Sequence, residues 1–261
     1  MLTASIAMQF VSQPTFDAVN DLVGVVSKYY PKSASAITSS CWCDDLKDLG
    51  VHIYDEWHYT NLPVIGGPTT SGIPPTSTKY NVVWTIEQAR SILSSNVSTL
   101  LDRAIQTRFM MHMVGDIHQP LHCMTYYDQF FPNGDEGGNL YMITGVNQSS
   151  LHMFYECVRV VWGRAHCSFA APPPPHTHIP TALQIVDSNP KSSFDHDLSL
   201  KDPAQWAADT YTQTRDFVYS IANGSAIDAD YLASARTLVQ RQVALGGYRL
   251  AQELDAYLGK H

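Results

Sequence analysis

The chain has few cysteines, five in 261 residues at 41, 43, 123, 157 and 167. None are spaced Cys-x-x-Cys, which argues against a thiolate zinc site. It is also short of positive charge, with 16 Lys and Arg against 24 Asp and Glu and a formal charge of −8. An acidic protein does not draw nucleic acid over its whole surface, so any phosphate polymer handled here needs bound cations to supply the positive field locally. No run of about 18 apolar residues occurs, so no transmembrane helix is expected. The opening stretch MLTASIAMQFVSQPTF lacks a basic n-region and a convincing apolar h-region, and so does not read as a signal peptide. Strand alternation is missing, and so are internal repeats.

What is present is helical pattern. At 44 % apolar content the chain can bury a full core, as one large domain or two small ones. Residues 1–12 and 15–30 read as a helical pair interrupted at Pro14, and 33–50 as a further helical stretch ended by Gly50. EWHYTNLPV reads as extended chain and 63–80 as a Gly/Pro/Ser/Thr loop. A helix starts near Thr85, where Gln88 three residues on makes a capping box. The helical pattern then runs with a break to about Ile117 and stops before Pro120. Residues 124–138 read as loop, 149–163 as helix, AAPPPPHTHIP as a surface loop, and about 203–222 and 229–258 as two long amphipathic helices. The expectation is one all-α domain. Two disulfides and a free thiol would suit a secreted protein, and sequons at Asn96, Asn147 and Asn223 lean the same way.

The stretch HMVGDIHQPLHCM, residues 112–124, concentrates metal-binding side chains at the end of an apolar helix. His112 and Asp116 are four apart and share a helix face. His122 lies past Pro120, where the chain turns back. Imidazole and carboxylate are good zinc ligands. His118 falls on a different face and reads as a packing or supporting histidine. His152 and Glu156, in SSLHMFYECV, repeat the four-residue spacing. Alone, such a pair also fits a solvated helix face. Asp44 in CWCDDLK and His58 in WHYTNLP carry little meaning singly.

Together, CWCDDLK, WHYTNLP, MHMVGDIHQPLH, DEGGNLYM and LHMFYE stand in an order that resembles the class I zinc-dependent single-strand nucleases. That family comprises fungal and plant nucleases and the trypanosomatid 3′-nucleotidase/nucleases, and is similar in fold to zinc phospholipase C. The resemblance covers essentially the whole chain, with GDIHQPLH its most specific motif. The insert CMTYYDQFFPNGDEGGN is most similar to the trypanosomatid branch. The implied fold is a single all-α domain over 1–261, and the family's zinc cluster has three ions. Residue by residue, the resemblance implies one zinc on Asp44, His58, His112 and Asp116, and a second on His122, His152 and Glu156. A pair about 3.5–4 Å apart lowers the pKa of a shared water and clamps a phosphate. By the same resemblance Asp44 orients the attacking water, and Lys47 and Asn139 contact the phosphate. Tyr59 stacks a base beside Asn61. The alternatives are a solvated helix lysine, a turn asparagine and a core tyrosine.

Three departures from the family pattern stand out. The N-terminal tryptophan and the histidine shortly after it, which bind the third zinc, have no counterpart at Met1-Leu2-Thr3. The expectation is a start placed too late, with the signal peptide lost alongside; a two-zinc or inactive variant is the alternative. Glu156 stands for the usual aspartate. Asn61 stands where many members have an acid, which leaves base preference open. The resulting expectation is a secreted, monomeric, zinc-dependent endonuclease and 3′-nucleotidase. It would act on single-stranded RNA and DNA and leave 5′-phosphates. The competing readings are a phospholipase C-like phosphoesterase and a catalytically dead zinc-binding protein.

Overall fold

The structure, a computed structural model, describes residues 1–68, 78–158 and 178–259. Its helices are α1 (Leu2–Phe10), α2 (Gln13–Ser27), α3 (Ala36–Ser39), α4 (Trp42–Asp48), α5 (Val82–Ser94), α6 (Leu100–Asp116), α7 (Leu151–Cys157), α8 (His178–Ser188), α9 (Asp195–Ser199), α10 (Pro203–Val218) and α11 (Ala229–Leu258). Two four-residue strands, β1 (Leu62–Ile65) and β2 (Met124–Tyr127), pair in parallel with Leu62 opposite Met124 and Ile65 opposite Tyr127. The all-α expectation holds apart from this ribbon. None of the described helices is long and apolar enough to cross a membrane.

Two apolar cores lie side by side. One gathers Trp42, Ile86, Phe109, Met110, Met113 and Trp206. The other gathers Leu121, Tyr141, Phe154, Tyr155, Ile185 and Val218. Helix α11 belongs to both: Val239, Val243, Leu245 and Tyr248 enter the second core, and Leu250, Leu254 and Leu258 the first. Helix α1 does the same with Leu2 and Ile6 on one side and Ala4 and Ala7 on the other. The two helices pack closely because α11 carries Gly247, where a Cβ would lie 2.5 Å from Ile6 Cγ2. The segment from Ile117 to Leu121 passes from one core to the other.

Several local expectations are corrected. Pro14 does not interrupt a helix. It sits in the first turn of α2, behind the cap Ser12, where its missing N–H costs nothing. Residues 33–50 are not one helix but a 3-10 turn (Pro31–Ser33), α3 and α4. Ser39 and Ser40 hydroxyls donate back to the Ala36 and Ile37 carbonyls, which competes with helix propagation. Helix α5 begins at Val82, not near Thr85. Asn81 Oδ1 accepts the Trp84 N–H at 3.1 Å, and Thr85 lies inside the helix with its hydroxyl donating to the Asn81 carbonyl. A capping box does occur, at Thr99 and Asp102 at the start of α6. Residues 124–138, read as loop, contain β2, whereas the extended reading of EWHYTNLPV holds at its end, where β1 begins at Leu62. Residues 56–58, read as extended, belong to a 3-10 turn, Asp55–His58. Helix α7 ends at Cys157 and α10 at Val218. The rest of the helix read over 149–163, and most of AAPPPPHTHIP, lie outside the described residues. Two disulfides do not form: Cys41, Cys43 and Cys123 are free thiols, and Cys157 is bridged.

Replacing Asn81 by Ala removes the α5 cap. It is expected to lower the unfolding free energy by about 1 kcal/mol, read by urea denaturation, with an unchanged m-value. A loss at Thr85→Ala with none at Asn81→Ala would return the helix start to the sequence reading.

Candidate metal and phosphate site

The site lies on the seam between the two cores, and the ribbon β1–β2 draws its halves together. Thr60 N–H donates to the His122 carbonyl at 2.7 Å and Leu62 N–H to the Cys123 carbonyl at 3.0 Å. This places the segment after His58 alongside the segment after Pro120. Helix α6 delivers His112 and Asp116 from one turn, and α4 delivers Asp44.

Asp116 Oδ2 is the meeting point. It lies 2.9 Å from His58 Nδ1, 3.0 Å from His112 Nε2 and 3.6 Å from His122 Nδ1. His58 Nδ1 and His112 Nε2 are themselves 3.0 Å apart, and the Asp44 oxygens stand 3.8 and 3.7 Å from them. On the other side, Glu156 Oε1 lies 3.3 Å from His122 Nε2 and 4.0 Å from His152 Nε2. The sequence-predicted ligands thus fall into two groups, Asp44, His58 and His112, and His122, His152 and Glu156, with Asp116 among the first.

The histidine hydrogen bonds test whether these groups suit a cation. His112 Nδ1 faces the Ser40 carbonyl at 2.5 Å, His122 Nδ1 the His58 carbonyl at 2.9 Å, and His152 Nδ1 the Gly137 carbonyl at 2.8 Å. A carbonyl only accepts, so each Nδ1 carries the proton and donates. In the neutral ring each Nε2 is then a bare lone pair, and all three are turned toward carboxylates. Lone pair against carboxylate is repulsive unless positive charge sits between them. A backbone-anchored Nδ1–H with a free Nε2 is also how metal-binding imidazoles are oriented. Donors about 2.0–2.2 Å from a tetrahedral ion stand roughly 3.3–3.6 Å apart. The first group's contacts, 2.9 to 3.8 Å, bracket that range. The residues fit a divalent cation.

The charges agree with this. Burial alone would lower the His112 pKa, but Asp116 and Asp44 outweigh it and raise it to about 9. Against the same burial, Asp116 and Glu156 lift His122 to about 10. Burial opposes ionisation of Asp116, yet His112 and His122 hold it well below the usual carboxylate range. Without a cation the cluster recruits protons. His58 and His152 are pushed down, chiefly by burial.

A cavity of about 410 Å³ opens beside this cluster, lined by Lys47, Asp55, Tyr59, Asn61, Glu136 and Asn139 together with His58, His122 and His152. The four residues expected at the substrate, Lys47, Tyr59, Asn61 and Asn139, therefore share one wall system. Lys47 Nζ donates to Asp44 Oδ1 at 3.1 Å. Burial opposes its charge, but Asp44 raises its pKa. Asn139 donates both its backbone N–H and its Nδ2 to the Glu136 carbonyl, at 3.3 and 2.9 Å. His118 stands apart as a packing residue. Its Nδ1–H donates to the Val114 carbonyl at 2.7 Å, and its Nε2 accepts from Arg249 Nη1 at 2.9 Å. Burial and then Arg249 lower its pKa to about 3, so it stays neutral.

Sequence reasoning missed three supports. Ser40 offers its carbonyl to His112 at the break between α3 and α4. Asp135 is buried and accepts from Thr125 Oγ1, Tyr126 N–H and Tyr219 Oη at 3.0, 2.9 and 2.8 Å, which pins the loop that carries Gly137. Gln119 reaches Glu156. The Asp-Glu-Gly-Gly-Asn run was the available signal for the second, since successive glycines announce left-handed backbone.

The family model described as S1/P1 Nuclease matches residues 1–259. Endonuclease 4 of Arabidopsis thaliana is 24 % identical over 263 residues, covering 90 % of this chain and 82 % of that protein. Endonuclease 3 of the same plant is 24 % identical over 269 residues, covering 94 % and 84 %. Nuclease S1 of Aspergillus oryzae is 26 % identical over 161 residues, covering 57 % and 52 %.

Gly137 has φ +61, and a Cβ there would lie 2.6 Å from the Leu121 carbonyl oxygen. Gly137→Ala is therefore expected to shift the loop, release the His152 ring from its carbonyl and cost roughly 1–2 kcal/mol for the backbone alone. Denaturation and the His152 ring signals in an NMR spectrum report the two effects; an unmoved His152 would refute the coupling.

Proposed function

The chain belongs to the S1/P1 nuclease family and is a hydrolase of phosphodiester bonds, and from that premise we propose that it uses zinc to cleave single-stranded RNA and DNA and to release phosphate from 3′-nucleotides. The observation that carries this reading is the common orientation of His112, His122 and His152, each anchored by Nδ1–H and offering Nε2 to a carboxylate-lined centre. Asp44, His58, His112 and Asp116 would hold one ion, and His122, His152 and Glu156 another. Bound there, zinc supplies Lewis acidity toward water and the positive charge that draws a phosphate to an otherwise acidic chain.

The side chains have distinct tasks. Asp44 is the accessible carboxylate of its group, with 41 % of its side chain exposed, and so can orient a water beside His58 and His112. Lys47, beside it, neutralises charge that builds on the phosphoryl oxygens. Asn139 has a second Nδ2 hydrogen free of the Glu136 carbonyl for the same oxygens. Tyr59 offers a ring to a base, a sequence-tolerant contact of about 1–3 kcal/mol, and Asn61 lies beside it in the wall. Water oxygen attacks phosphorus in line, the P–O3′ bond breaks, and the 3′-oxygen leaves as a hydroxyl. A polymer fragment keeps a 5′-phosphate; a 3′-nucleotide gives nucleoside and inorganic phosphate. We place the protein, a monomer with one domain over 1–261, on the secretory route, in keeping with its exposed sequons at Asn96, Asn147 and Asn223.

The test is hydrolysis of single-stranded RNA and of 3′-AMP, with zinc content by mass spectrometry. Both substrates are expected to turn over, to stop with chelator and to recover with zinc. Lys47→Met is expected to lower kcat by about 10²–10³ with zinc content unchanged. Zinc retained with no turnover of either substrate would replace the enzyme reading with that of a zinc-binding protein.

A further inference from the structure

Glu156 reaches the cluster from α7 on a side chain one methylene longer than aspartate. That gives it one more rotatable bond to restrain. The restraint comes from a residue outside both ligand groups. Gln119 Nε2 lies 3.0 Å from Glu156 Oε1, and Gln119 Oε1 lies 2.5 Å from the Leu121 N–H. The second contact fixes the first. A backbone N–H only donates, so the atom facing Leu121 is the amide oxygen, and the atom facing Glu156 is the amide nitrogen, a donor. The amide cannot flip without placing its NH₂ against an N–H and its oxygen against a carboxylate. Gln119 is itself clamped in the turn from Asp116 to His122, which is held by the Gln119 N–H on the Asp116 carbonyl at 2.9 Å and the His122 N–H on the Gln119 carbonyl at 3.0 Å. The oxygen it holds, Oε1, is the same one that stands 3.3 Å from His122 Nε2.

We propose that Gln119 is the positioning residue for the Glu156 carboxylate, fixing Oε1 between His122 and His152 so that a metal ion is retained there. The inference rests on the zinc reading above. It assigns Gln119 no contact with substrate. Its consequence is selective: the ion of His122, His152 and Glu156 depends on Gln119, and the ion of Asp44, His58, His112 and Asp116 does not. Partners that orient a metal-binding carboxylate typically contribute 10–100-fold in metal affinity.

Two substitutions separate this role from the turn. Gln119→Glu keeps an oxygen for the Leu121 N–H but presents oxygen to Glu156. Gln119→Leu removes both contacts. Full-length wild type and variants are loaded with zinc, dialysed against graded chelator and assayed by mass spectrometry; cobalt-loaded samples give the visible spectrum of each site. Gln119→Glu is expected to melt within a few degrees of wild type yet release one equivalent of metal at roughly 10–100-fold lower chelator strength, with loss of one cobalt component. Combined with Glu156→Asp, the losses are expected to be non-additive, since both changes act on one carboxylate. Wild-type metal retention in Gln119→Glu, or additive losses in the double variant, would overturn the proposal while leaving the zinc reading intact. A wild type that holds no ion at His122, His152 and Glu156 would instead overturn the zinc reading itself.

Discussion

One oxygen organises the molecule around it. Asp116 Oδ2 lies within 3.6 Å of imidazoles at 58, 112 and 122, which arrive on a 3-10 turn, a long helix and the turn after it. Three chain segments therefore converge on one largely buried carboxylate, and each histidine faces it because its other nitrogen or its backbone is tied elsewhere. A buried carboxylate is tolerable only when paired. Here the pairing is shared, so no one partner can move without exposing the others to an uncompensated charge.

The rest of the fold serves to hold that oxygen still. Helix α6 ends at Asp116, and the turn beyond it is clamped from outside: Thr210 Oγ1 and Cys123 Sγ both donate to the Ile117 carbonyl, and His118 braces α11 through Arg249. Helix α1 rests on α11 at Gly247 and contributes to both cores. The neutral His118, two residues from the most strongly paired carboxylate, illustrates how position decides protonation. One imidazole sits among carboxylates and gains charge; the other sits against a guanidinium and cannot.

Much of this was legible in the sequence where spacing carries geometry. His112/Asp116 and His152/Glu156 share helix faces because four residues make about one turn, and the α11 pattern read over 229–258 corresponds to Ala229–Leu258. GDIHQPLH carried the family and hence the helical fold. What stayed hidden depended on contacts distant in sequence or on competition between neighbours. Four-residue strands such as Leu62–Ile65 have too few positions to show alternation, and their pairing partner lies 62 residues on, at Met124. Asn81 displaced Thr85 as cap because a stronger N-cap residue stood one turn earlier. Ser39 and Ser40 broke a helix that apolar content alone extended, and that break frees the carbonyl that orients His112. Gln119 reads as an unremarkable polar residue until Leu121 and Glu156 are seen on either side of it.

The seam between the two cores has a consequence for how the protein is made. The donors of the first group span residues 44 to 116, and those of the second extend to 156. The β1–β2 pairing joins the two halves of the cluster, and α11 bridges both cores, so the site depends on contacts between segments far apart in the sequence. Loop closure over such separations is slow. The donor cluster is thus a product of the tertiary structure as a whole, a lock whose parts come from segments that no single local element brings together.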